Sequence, residues 1–134
     1  MADPQYDTNL PIYLQLMEQI QLWIVTGRWR AGERIPGVRE LALECGVNPN
    51  TMQRALSELE RAGLLYSERT AGRFVTRSEE RIEEIRHEMA AGLIRDFLVS
   101  MERMGYRREQ ILSQLNQEMD RKTDISHEGE RKTR

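Results

Sequence analysis

Cysteine is nearly absent: Cys45 is the only one among 134 residues, so no disulfide can close within the chain. It falls on an apolar helical position, which reads as core, since a redox-active thiol needs exposure beside positive charge. Histidine is almost as scarce. His87 lies among acids and His127 in the C-terminal tail, with no His-x-x-x-His or Cys-x-x-Cys pair, so one chain offers no zinc ligand set. Neither an enzyme, a metal protein nor a cofactor carrier is expected. No apolar run approaches the roughly 20 residues of a membrane span, and a start carrying Asp3 and Asp7 is not a signal peptide. These absences describe a reduced, cytoplasmic protein with no membrane partner.

Positive charge is missing too. The formal net charge is −2 and the isoelectric point is near 5.8, which is not the footprint of a general polyanion binder. Residues 1–77 hold nine arginines against nine acids, so any affinity for nucleic acid must come from local arrangement. Both lysines, Lys122 and Lys132, lie near the C-terminus. Every cation of the first 77 residues is therefore Arg, which suits bidentate contact with guanine or phosphate. The 39% apolar and 31% charged composition fits a soluble, helix-rich chain with room for one domain and an appendage.

What is present is most concentrated between Ile35 and Leu65. Val38, Leu41, Ala42 and Cys45 recur at helical spacing, and Met52, Ala55, Leu56 and Leu59 repeat it. Between the two runs Gly46 permits a sharp reversal, and Asn48-Pro49 supplies an N-cap followed by Pro at the first helical position. Upstream, Pro11 to Thr26 reads as an amphipathic helix with Tyr13, Leu16, Ile20, Trp23 and Ile24 on one stripe, ended by Gly27. Residues 1–9 read as loose, and Arg34-Ile35 as a single bridge of strand. Gly63 closes the second helix, after which Leu65 to Arg69 and Arg73 to Arg77 pair as a hairpin around Thr70-Ala71-Gly72. Helix, bridge, helix, helix and a two-stranded wing is the order of a winged helix-turn-helix domain, assigned to residues 1–77.

From residue 78 the pattern changes. Thr76 or Ser78 caps a long helix, with Glu79 and Glu80 favourably placed in its first turn. Its stripe runs Ile82, Ile85, Met89, Leu93, Phe97, Met101 and Met104, until Gly105 breaks it. A second helix from Arg107 to Met119 carries Ile111, Leu112, Leu115 and Met119 on one face, and the polar tail 120–134 reads as disordered. Two helices cannot enclose a core, so residues 78–119 read as a dimerisation arm. Ile82, Ile85, Met89, Leu93, Phe97, Met101, Ile111 and Leu115 are its expected interface.

The segment around residue 50 carries the expected function. With Met52, Ala55, Leu56 and Leu59 inward, at about 100° per residue, the leading turn exposes Asn48, Asn50, Thr51, Gln53 and Arg54. Asn and Gln pair with adenine, Arg with guanine, and Thr holds a phosphate or touches a thymine methyl. No acid interrupts this face before Glu58, as a phosphate-facing surface requires. Arg39 on the preceding helix is placed to reach the DNA backbone, Arg61 lies on the same face further along, and Arg69, Thr70, Gly72 and Arg73 form the wing contact.

These residues carry a family resemblance. P-I-Y, then G-x-R-I-P-x-V-R-E-L-A, G-V-N-P-N-T-x-x-R-A-L, G-L-L and G-R-F-V, across about residues 10–76, resemble the winged domain of GntR-type bacterial transcription regulators. The extension, with F-L-x-x-M-x-x-x-G-Y, is similar to that of the YtrA-like subgroup, where it serves dimerisation. The resemblance places Arg39, Asn48, Asn50, Thr51, Gln53, Arg54 and the wing around Gly72 at operator contacts. It implies a repressor of its own operon and a linked transporter. The chain departs from the pattern at Gly37, where Ser or Ala is usual, at Gln53, where many relatives have Arg, and at Thr70, in place of a wing-tip glycine. The expectation is thus a mainly α protein with a small β-hairpin, acting as a homodimer on an inverted-repeat DNA operator. The competing reading is a dimeric winged-helix scaffold without operator binding. A small-molecule effector has room, but no polar cluster in the sequence marks its site.

Overall fold

The computed structural model describes residues 6–132, with side chains described as far as residue 123. Element order is α1 (Ile12–Val25), α2 (Val38–Cys45), α3 (Pro49–Arg61), β1 (Leu65–Glu68), β2 (Gly72–Val75), α4 (Glu79–Arg103) and α5 (Arg108–Lys132). Two compact units result, Met1–Met89 and Ala90–Arg134, with the division falling inside α4.

In the first unit the apolar stripes predicted for α1, α2 and α3 converge. Leu16, Ile20, Leu41, Met52, Leu56 and Leu59 are fully buried, joined by Leu64 and Val75 from the edge of the hairpin. Trp23 and Trp29 close one side, their ring centroids 5.0 Å apart. Each such side chain contributes about 1.5–3 kcal/mol on burial, so the core rather than helix propensity holds these short elements. Cys45 belongs to this core. Burial, with Glu44 adding to it and Arg28 opposing, pushes its thiol above the ordinary value. The segment before α1 is tied down more than its composition suggests. The Tyr6 hydroxyl donates to the Cys45 carbonyl at 2.9 Å, and Gln15 exchanges two hydrogen bonds of 2.7 Å with the backbone of Asp7. Residues 1–5 lie outside the described residues.

The strands of the wing are each one residue shorter than the sequence pattern predicts, and the tip is shifted by one. Leu65 pairs with Val75 and Glu68 with Gly72, so the tip is Arg69-Thr70-Ala71 and Gly72 is already in strand. The expected bridge is there: Arg34 pairs with Phe74, while the amides of Ile35 and Val75 donate to Arg73 and Glu33 carbonyls at 2.9 Å. The chain before α2 thus forms a third line of the sheet.

The start of α4 belongs to the first compact unit, which runs past the boundary expected at residue 77 to Met89. Ile85 is buried in the winged core, with Ile82 and Met89 packed partly against it. The unbroken apolar stripe of α4 leads to the expectation of all three at a dimer interface; Ile85 is buried within its own chain. Arg81 completes the attachment, donating from Nε and Nη2 to the Ala62 carbonyl at 3.1 and 2.9 Å.

In the second unit, Gly105 takes a left-handed φ of 87° and turns the chain between the two helices. The Arg107 amide donates to Gln110 Oε1 at 2.9 Å, opening α5. Met101 and Ile111, also expected at the interface, are buried here. Leu93, Phe97 and Leu115 are 71%, 38% and 40% exposed. With Ile94, Leu98 and Leu112 they line an apolar groove of about 770 Å³ between the helices. α5 continues to Lys132, beyond the expected end at Met119 and across most of the tail that reads as disordered. Its added residues include the helix formers Arg121 and Lys122, and Arg121 pairs with Glu118 one turn back at 3.3 Å. The last tail residues, 133–134, lie outside the described residues, as does the side chain of His127.

Candidate nucleic-acid interface

The site is built on the turn between α2 and α3. Gly46 caps α2 in the left-handed region, φ 69°, where a β-carbon would be strained. The Val47 amide then returns to the Ala42 carbonyl at 2.9 Å. Gly37 leaves the start of α2 without a side-chain cap, as its lack of a hydroxyl predicts. Asn48 behaves differently. Its side-chain oxygen accepts from the Asn50 amide at 2.8 Å, and Pro49 follows in the first helical position, so α3 starts at a fixed point. Capping uses the acceptor of Asn48, which leaves its amide donors for an outside partner.

No acid occupies the first turn of α3, so its positive dipole end meets no counter-charge from that turn. Asn50, Gln53 and Arg54 are exposed there and Thr51 is half-buried. Gln53 donates to the Ser57 hydroxyl at 2.9 Å, which orients its amide along the helix. The Arg54 guanidinium lies over the ring of Tyr13 of α1, 3.8 Å from its centroid. Arg39 is exposed on α2 and makes no ion pair among the described residues.

Other expected contacts separate from this cluster. Arg61 stands at the far end of α3, about 16 Å along the axis from Asn50, 81% exposed and loosely beside Glu58 at 3.9 Å. Arg73 turns inward: its Nε donates to Glu60 Oε1 at 3.0 Å and its side chain is only 16% exposed. The Ser67 hydroxyl donates to the same oxygen. Burial works against the charged form of Glu60. The hydrogen bonds from Ser67 and Arg73, with the Arg73 charge, outweigh it and hold the carboxyl below its ordinary value. Arg73 thus ties the wing to α3 and is not a free cation. Arg69 and Thr70 remain exposed at the tip. Gly72 is required: its φ is 111°, and a β-carbon there would lie 3.1 Å from Nε of Arg34.

The profile of the gntR family of bacterial regulatory proteins matches residues 12–75, from the start of α1 to the end of β2. The HTH-type transcriptional regulator YhcF of Bacillus subtilis is 34% identical over 110 residues, 82% of this chain and 91% of that protein. A GntR family transcriptional regulator from Listeria monocytogenes superposes with a TM-score of 0.79 at 37% identity, covering 84% of this chain and 98% of that one. This chain belongs to the GntR family.

The repressor YtrA of Bacillus subtilis is a further relative, 38% identical over 74 residues, 55% of each chain. Like these relatives, this GntR protein is a transcriptional regulator and not an enzyme. No helix among its described residues is long and apolar enough to cross a membrane. The exposed leading turn of α3 is legible in the sequence, whereas the contacts of three residues around it are not. Periodicity shows Tyr13 only as part of a stripe, Arg34 only as a bridge, and Glu60 only as one acid among nine. Each acts through a partner distant in sequence, and only P-I-Y and G-x-R-I-P offer a hint.

Proposed function

We propose that this GntR regulator is a cytoplasmic homodimeric repressor that binds an inverted-repeat operator, each α3 entering a major groove and each wing lying beside it. On this reading the half-sites stand about one helical turn apart, roughly 34–36 Å. The observation that carries it is the leading turn of α3. Asn50, Thr51 and Gln53 are presented on a capped, rigid helix end that bears no acid, in a chain whose net charge is negative. Dimerisation is supported by the groove of the second unit, where Leu93, Phe97 and Leu115 remain exposed beside the buried Met101 and Ile111. Control of its own operon and a linked transporter follows the resemblance to YtrA-type repressors.

Selection from a random duplex pool, followed by binding measured from 50 to 200 mM salt, tests this function. A palindromic motif should emerge. If each dimer engages 6–10 phosphates, affinity for it should fall by about 10³–10⁵ over that range. A pool that yields no motif, or binding indifferent to salt, would instead identify a winged-helix scaffold.

A further inference from the structure

Arg54 is held by a partner outside its own helix. Bidentate recognition of guanine needs the guanidinium extended from the recognition helix, its edge in the plane of the base. Here the guanidinium rests on the face of Tyr13, 3.8 Å from the ring centroid, on a different helix. A cation on a ring face keeps its N–H edge outward while its position is fixed by attraction to the π-system. The head group is thereby drawn to the flank of α3 that packs against α1. The amide of Gln53, one residue earlier, bonds instead along its own helix to Ser57. Asn50 is exposed in the first turn.

We propose that Tyr13 positions Arg54 as a phosphate clamp, leaving base discrimination on α3 to Asn50 and Gln53. The inference rests on the DNA-reading function above and divides the labour within it. A phosphate contact fixes register without carrying sequence information, so its removal has a recognisable signature. All sequences weaken together and the salt dependence becomes shallower. Tyr13 is a positioning residue in this scheme, acting only through Arg54.

The test uses the full chain and the operator obtained by pool selection. Wild type, Arg54→Ala, Tyr13→Phe, Tyr13→Leu and the double variant Tyr13→Leu/Arg54→Ala are titrated against the operator and its single-base variants at several salt concentrations. Arg54→Ala should weaken binding to every duplex alike and reduce the salt slope by about 0.9 for each phosphate that Arg54 neutralises. Tyr13→Phe keeps the ring and should bind as wild type. Tyr13→Leu should weaken binding about two- to fivefold on all sequences, with thermal unfolding monitored to confirm the fold. In the Arg54→Ala background the same Tyr13→Leu change should cost nothing more, which a merely structural role would not produce. Relaxed preference at one base pair in Arg54→Ala would overturn the clamp, and additive effects in the double variant would overturn the role of Tyr13. Failure of the DNA-reading function itself is distinguishable, because then the wild-type chain selects no motif.

Discussion

Glu60 is where the wing is fastened to the recognition helix, through Arg73 at 3.0 Å and the Ser67 hydroxyl. Its carboxyl titrates below the ordinary value in the folded chain, since those partners outweigh burial. The stabilisation is therefore complete above the unfolded carboxylate pKa, about 4.3, and is lost as pH falls through the lowered folded value. Glu60→Gln should remove this acid-side dependence. Unfolding of the two proteins compared between pH 7 and pH 3 should show their stabilities converging at the acid end, and curves that stay parallel would sink the idea. Gly72 gives a second residue-scale prediction. Gly72→Ala places a β-carbon at φ 111°, 3.1 Å from Arg34. It should cost about 1–2 kcal/mol in denaturant unfolding. Asn50 and Gln53 are legible at this scale because a helical wheel alone puts them outside. The inward turn of Arg73 is not, because its partner is 13 residues away across a strand and its direction depends on that meeting.

Among the elements, the helices are legible from periodicity and the turns from glycine. Gly46, Gly63 and Gly105 all adopt the positive φ their positions require. The assignment of α4 is not legible. Its apolar residues repeat without interruption, and a stripe says that something covers it without saying what. The covering changes along the helix: Ile85 enters the winged core, whereas Leu93 stays 71% exposed. Arg81 marks the attached part, holding the terminal carbonyl of Ala62 with two donors and pairing with Glu84 at 2.9 Å. A charged group satisfying an otherwise open helix end is worth about 1.5–3 kcal/mol. Arg81→Ala should lower unfolding stability by an amount of that order, and amide exchange should quicken at the C-terminal turn of α3. Unchanged exchange there would show the contact to be idle.

For the whole molecule, the proposed pairing of two chains concentrates on the exposed remainder of the arm. Phe97→Asp and Leu93→Asp put a charge on that surface without touching the winged core. Each should shift sedimentation from dimer toward monomer by at least tenfold in the dissociation constant, about 1.4 kcal/mol. Operator affinity should fall with it while the first unit stays folded. Ile85→Asp makes the contrast, since it should unfold the winged unit rather than separate two chains. A dimer unchanged in Phe97→Asp would place the self-association elsewhere.

The distribution of a few side chains makes such experiments separable. Both tryptophans, Trp23 and Trp29, and the single thiol, Cys45, lie in the first unit. Tryptophan emission, excited selectively over tyrosine, and thiol alkylation therefore watch one half of the chain and are blind to the other. Under conditions that disturb only the arm, helical circular dichroism should drop while tryptophan emission and the slow labelling of Cys45 hold steady. The chain carries its own reporters, already sorted by unit and needing no added label.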